Sequence, residues 1–335
     1  MNVPYPKPWL SLTDQVALIQ ARGLGLTDAD SAERVLASIG YYRLSGYWYP
    51  YRRSVPVPTT DPNQLSANLV IDDFRSGSTL QQVVDLYEFD RVLKLLVMDA
   101  IERVEVTVRT KIGYTLGKRD RHAHLNRSHL DRKFTQRRPG QSVSNHDTWK
   151  QKLAAAQSRS KEDFVRHFAN RYHGPLPVWV ATELLDFGGL SYLFTGMVTA
   201  DRDQVAADLG ARDTSGGGHG KMLANWLRAI NYVRNICAHH SRFWNRNMVD
   251  QLTPRYLALI PSLNHVASGA PHTTKRVYGT LCVLKFLLDQ IQPSNGTGTW
   301  SADLVSHLET GFGSSGYSVQ DMGFPTSWRT EALWK

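Results

Sequence analysis

The residues of this chain whose types and spacing could do chemistry are Arg234-Asn235-Ile236-Cys237-Ala238-His239-His240. On an ideal helix Asn235 and His239 are four apart, about 40° from each other, and share a face. Arg234 and His239 are five apart, about 140° from each other, so a straight helix does not stack them. A long arginine side chain, a kink or a second chain has to bring them together. A neutral imidazole can take the proton from a ribose 2′-hydroxyl, because its pKa lies near the operating pH. A guanidinium can hold a phosphate bidentately and stabilise the charge that develops on it. An amide beside them can orient either group. The chemistry on offer is metal-free RNA cleavage. Arginine and histidine within one helix are common, so the spacing alone leaves catalysis and an ordinary helix surface both open. His240 leaves the acid/base residue ambiguous by one position. Sharing a face with Asn235 favours His239. Arg242 and Arg246 extend the basic face one and two turns further.

Composition bounds what can surround this segment. The 335 residues carry 39 Lys+Arg against 30 Asp+Glu, a formal net charge of +9, which points to an acidic partner, nucleic acid ahead of membrane. Hydrophobic residues make up 41%, an ordinary globular share that allows one large domain or two smaller ones. Two cysteines exclude a disulfide scaffold and fit a reducing cytoplasm. The start of the chain has no apolar run of the leader kind, and no stretch approaches the roughly 20 apolar residues of a membrane span.

The elements that must position the segment read as helices, with almost no strand signal, so the expected class is all-α. Ser11 with Asp14, and Thr27 with Asp30, look like capping boxes for helices Leu12–Arg22 and Asp28–Ile39. Residues 54–78 read as loop. Thr79–Leu116 repeats apolar residues at helical spacing, with Gly117 as its stop. Further helices are expected at Asp147–Gln157, Lys161–His173, Val178–Met197 (interrupted at Phe187-Gly188-Gly189) and Asp201–Leu209. Thr214–Gly220 reads as a flexible loop. Helix Lys221–Asn247 carries the Arg–His segment, an amphipathic helix follows at Thr274–Ile291, and a short one at Ser301–Glu309. The aromatic tail Met322–Lys335 should be packed. The expected organisation is an N-terminal segment, 1–78, packed on a helical domain, 79–335, that has a basic insertion at 118–138.

Other residues compete for a functional role. Tyr41–Arg53 interleaves six aromatics with Arg43, Arg52 and Arg53, which suits base stacking with phosphate contact or simply a packed core. Glu102, Arg103, Glu105 and Arg109 lie on the long helix, either as intrahelical ion pairs or as a polar shell that supports Arg234 or His239. The run 118–138 holds eight Lys/Arg and two Asp, +6 of the +9, and marks Lys118, Arg119, Arg121, Arg132, Lys133, Arg137 and Arg138 as candidate RNA contacts. Its histidines His122, His124 and His129 have no cysteine or acidic partners at metal-ligand spacing, and Cys237 has no matching pair, so no metal or cofactor is expected.

Five stretches resemble one known family in order along the chain: KPWLSLTDQVALIQARGL, IGYYRLSGYWYPYR, LYEFDRVLKLLVMDAIERVEVTVRTKI, PLPVWVATELLDFGGLSYLF and WLRAINYVRNICAHHSRFWNR. The tail MGFPTSWRTEALW adds to the likeness. The family is the abortive-infection (Abi) group of phage-defence proteins, AbiD/AbiF type, within the HEPN superfamily. The resemblance implies a HEPN-like helical bundle with additional N- and C-terminal helices, and metal-independent endoribonuclease activity. It implies Arg234 as phosphate binder, His239 as general acid or base and Asn235 as the orienting residue; His240, Glu102 and Arg109 are candidates for catalytic support. It also implies a homodimer that builds a composite site, RNA as substrate, and a structured small RNA as a further partner or inhibitor. The competing expectation is a non-catalytic RNA-binding protein of a phage-defence or toxin–antitoxin-like system.

Overall fold

A computed structural model describes residues 8–56, 68–172, 174–291 and 299–335. The expectation for the first seven residues, the middle of the expected 54–78 loop (57–67), and His173 lie outside them. The described chain is mainly α-helical with one two-stranded sheet.

Local chemistry explains most element ends. The helix α1 (Leu12–Ala21) begins at Ser11, whose hydroxyl oxygen accepts from the Asp14 amide at 3.1 Å. The helix α2 (Ala29–Ile39) is capped by Asp28, which accepts from the Ser31 amide at 2.7 Å, one residue beyond the expected Thr27. A carboxylate is the better cap of the two. The helix α3 (Tyr41–Trp48) starts after Gly40. Where a loop was expected, β1 (Arg52–Pro56) and β2 (Asn68–Phe74) pair antiparallel. Their sequence lacks alternation, and Asp72 supports the pairing by bridging Arg22 and Arg52 at 2.7 and 2.8 Å.

The long helix α4 (Leu80–Arg119) runs through Gly117 rather than stopping there. A Cβ on Gly113 would stand 3.2 Å from Trp179 Cα, and one on Gly117 would stand 3.0 Å from the Trp179 ring. The two glycines therefore serve close packing, and the helix carries their propensity cost of about 1 kcal/mol each. After a 3-10 turn at Arg127–His129 come α5 (Arg132–Thr135), α6 (Asn145–Arg159) and α7 (Asp163–Tyr172). The expected helix 178–197 is split into α8 (Val178–Ala181) and α9 (Phe187–Gly196), because Asp186 caps the second piece. Next are α10 (Thr199–Asp208) and α11 (Gly220–Ala238). The segment before α11 is a tight turn and not a loose loop: Asp213 accepts from the amides of Ser215 and Gly217, and the His219 amide donates to Ala211. The chain closes with α12 (Pro254–Leu257), α13 (Asn264–Ser268), α14 (His272–Lys275), α15 (Val277–Ile291) and α16 (Trp300–Thr310).

Two compact units divide within α4 after Leu93; the first unit also takes Leu304–Ser318. In that first unit Tyr47, Trp48 and Tyr51 are buried, so half of the aromatic stretch is core; the Tyr47 hydroxyl donates to buried Asp90 at 2.6 Å. Tyr42 and Tyr49 are exposed, at 91% and 50%. In the second unit α11 packs against α9, α10 and α15. The helix α15 is buried almost all round, not amphipathic as expected, so it is the central element of that unit. The tail is packed as expected: Phe324, Trp328 and Trp334 cluster on Tyr278, the Phe324 ring at 4.4 Å.

Candidate functional site around Arg234 and His239

The helix α11 buries Met222, Leu223, Trp226, Leu227, Ile230, Val233 and Cys237 along one side. Its other side presents Lys221, Arg228, Asn231, Arg234, Asn235 and His239 as half-buried or exposed. The helix stops at Ala238, nine residues short of the expected Asn247. His239 is the C-cap, and His240 adopts φ +55°. The His240 amide donates to Cys237 O and the Ser241 amide reaches back to Ile236 O, both at 3.0 Å. That pair of bonds is the Schellman motif, with a histidine where glycine is usual. The chain then reverses, which lets Phe243 and Trp244 enter the core. Buried Lys94 (6% exposed) donates to Ser241 O at 3.4 Å, at the residue just after the turn.

Arg234 lies in the field of Glu105 on α4. Glu105 Oε1 accepts from Arg109 Nη2 at 2.8 Å, and both side chains are largely buried. Arg109 Nε donates to Thr182 O and Nη2 to Leu185 O, each at 3.1 Å. Arg109 is thereby locked to the segment between α8 and α9. Burial holds the Glu105 carboxyl above the usual carboxylate range, although Arg109 and Arg234 both pull it down. The ion-pair reading of this helix holds for Glu105 and Arg109. The carboxylate that feels the Arg234 charge is Glu105, while Glu102 is exposed and is not among the groups acting on it. The signal that could have singled out Glu105 is its four-residue spacing to Arg109. Asp186, which also acts electrostatically on Glu105, and Lys94 carry no sequence signal for the site.

The remaining candidates scatter. Arg246 lies back on α11, its Nε donating to the Tyr232 hydroxyl at 3.1 Å and its guanidinium 5.9 Å from that ring, so it does not extend a basic helical face. Arg242 is half-buried just past the turn. Arg52 is paired with Asp72, and Arg43 is exposed beside Tyr42. The run 118–138 is folded, not an open loop: Ala123, His124, Leu130 and Phe134 are buried in it. Arg119 makes a two-pronged pair with Asp201 at 2.5 and 2.8 Å. Arg127 Nη2 alone donates to both Asp147 carboxylate oxygens, at 3.0 and 3.1 Å. Lys118, Arg121, Arg132, Lys133, Arg137 and Arg138 are exposed. Of its histidines, His122 has a ring nitrogen 3.0 Å from Pro175 O, and burial lowers His124 to about 4. A pocket of about 540 Å³ lies beside Arg109, walled by Gly113, Gly117, Tyr114 and Trp179. Among the described residues no helix is long and apolar enough to cross a membrane.

No curated protein and no solved structure matches the chain. A family model described as Abi-like protein matches residues 34–245, a span that runs from within α2 to just past the His239–His240 turn. As that is more than half of its length, the chain belongs to the Abi-like protein family, an abortive-infection family.

Proposed function

We propose that the chain is a metal-independent endoribonuclease of HEPN type, acting in the cytoplasm in phage defence. The observation that supports this reading is the presence, at one helix end, of half-buried Arg234 in the field of Glu105 and of exposed His239. In the proposed reaction His239 takes the proton of a ribose 2′-hydroxyl, whose oxygen attacks the adjacent phosphorus. The bond to the 5′-oxygen breaks, that oxygen takes up a proton, and a 2′,3′-cyclic phosphate and a 5′-hydroxyl remain. Arg234 binds the non-bridging oxygens and Asn235 orients the group. The proposed protein is a homodimer, because a second copy supplies what the five-residue offset between Arg234 and His239 withholds. His239 is the assigned acid/base, since it continues the Asn235 face, whereas His240 shapes the turn.

The test is cleavage of RNA in EDTA by the purified protein and by its Arg234→Ala, His239→Ala and His240→Gly variants. The first two should lose activity and the third should keep most of it. Unchanged cleavage in His239→Ala and Arg234→Ala would end the proposal, and loss of wild-type activity in EDTA would end its metal-free part.

A further inference from the structure

We infer that single-stranded RNA lies in a groove between α6, α9 and α11, with its phosphates on Lys152, Arg159, Lys221 and Arg228. The ligand class rests on the endoribonuclease reading; the groove itself is geometry. Two clefts of about 550 and 690 Å³ share Gly188, Tyr192 and Asn231, so they form one continuous depression. Lys221 and Arg228 line the first, and Lys152 and Arg159 line the second. All four cations are exposed. The carboxylate lining the groove is Asp186, whose Oδ1 is occupied by the Gly189 amide at 2.7 Å. Arg228 Nε also meets Asp250 at 3.3 Å, yet the arginine side chain stays 62% exposed.

The shape suits a strand more than a duplex. The groove runs between packed helices, and its walls include small residues, Ala155, Ala156, Ala224 and Gly188, that let a backbone come close. Half-buried Tyr192 lines both clefts, and Tyr256 lines the first, which places two aromatic rings where bases can stack. The groove also leads to the candidate site. Lys221, Arg228, Asn231, Asn235 and His239 follow one another at spacings of seven, three, four and four, one solvent face of α11. The 18 residues from Lys221 to His239 span about 27 Å. In the basic run 118–138 Asp201 and Asp147 pair with Arg119 and Arg127, and the other six cations do not line this groove. A second copy of the chain is disfavoured as occupant, since a two-fold interface would set these four cations against themselves.

The experiment measures binding of a short fluorescent oligouridylate to His239→Ala protein, which binds without cutting, over a range of salt. Two variants in that background are compared: Lys152→Glu/Arg159→Glu/Lys221→Glu/Arg228→Glu, and Arg132→Glu/Lys133→Glu/Arg137→Glu/Arg138→Glu. The groove variant should bind at least about 100-fold more weakly and lose about 3 units of the log–log salt slope, some 0.7 per phosphate contact. The run variant should change less than about threefold under the same conditions. Neutral Gln replacements at the four groove positions serve if the Glu set does not fold, and should move binding the same way. The inference is overturned if the parent does not bind, if the run variant loses as much as the groove variant, or if the groove variant turns a dimer into a monomer with affinity unchanged. Binding that depends on the groove in a protein that never cuts RNA would sink the catalytic reading and leave the groove standing.

Discussion

Glu105→Gln separates support of Arg234 from simple salt-bridge stability. Glu105 is 17% exposed and Arg109 15%, so the pair is largely desolvated. The raised carboxyl pKa says that burial outweighs the attraction of Arg109 and Arg234. Because the folded pKa lies above the unfolded one, the native state binds more protons in that window. Stability from this group therefore falls as pH rises from the ordinary carboxylate value through the raised one. At neutral pH the neutral isostere should thus cost less than about 1 kcal/mol, since its amide oxygen still accepts from Arg109. Glu105→Ala should cost about 2–3 kcal/mol, from the lost acceptor and the cavity left behind. Arg109 would then keep only its Thr182 and Leu185 carbonyls. RNA cleavage by Glu105→Gln should fall roughly tenfold, about 1.4 kcal/mol in the barrier, because Arg234 loses its counter-charge. Urea unfolding at about pH 5 and about pH 7 checks the stability part, with wild type gaining on Glu105→Gln at the lower pH. A Glu105→Gln loss above about 3 kcal/mol, equal at both pH values, would refute the reasoning and make the charge pair itself the main support.

Three further outcomes follow from the geometry. His240→Gly should raise stability by up to about 1 kcal/mol by relieving the left-handed backbone, whereas His240→Val should lower it by about 1–2 kcal/mol; shifts in the urea midpoint measure both. Gly218→Ala should cost about 3 kcal/mol, since its Cβ would collide with the Asp203 carbonyl, while Gly216→Ala meets nothing and should cost only about 1 kcal/mol for its positive φ; thermal melts compare them. His124, lowered to about 4 by burial, stays neutral in the fold while the unfolded chain charges below its ordinary value. Acidifying from about pH 6.5 to about 5 should therefore remove about 2 kcal/mol of stability, and a His124→Gln protein with an unchanged pH slope would contradict this.

Much of the fold was legible because its causes are local. Ser11 and Asp14 lie within one turn, and so do Asn235 and His239. Helical periodicity in α4 and α11 reports a buried face whatever that face touches. The misreadings are places where distant residues override local preference. Gly117 reads as a stop until Trp179 packs on it. The strands β1 and β2 have no alternation of their own and depend on the Arg22–Asp72–Arg52 bridge. Lys221–Asn247 looks like continuous helix, because nothing in its composition announces that His240 will take a conformation usually left to glycine.

The candidate site divides the same way. By itself the sequence determined the all-helical class, the family, and the presence of Arg234, Asn235 and His239 at fixed spacing on one helix. Only the tertiary structure decided that Glu105 lies within electrostatic reach of Arg234, which cations of the basic run are already paired, and that Lys152, Arg159, Lys221 and Arg228 line one groove. Spacing along a helix is set by 1.5 Å and about 100° per residue, so the sequence carries it. Contacts such as Arg109 with Leu185 O, or Arg119 with Asp201, lie 76 and 82 positions apart. Their pairing is settled by how helices pack, which no local pattern encodes.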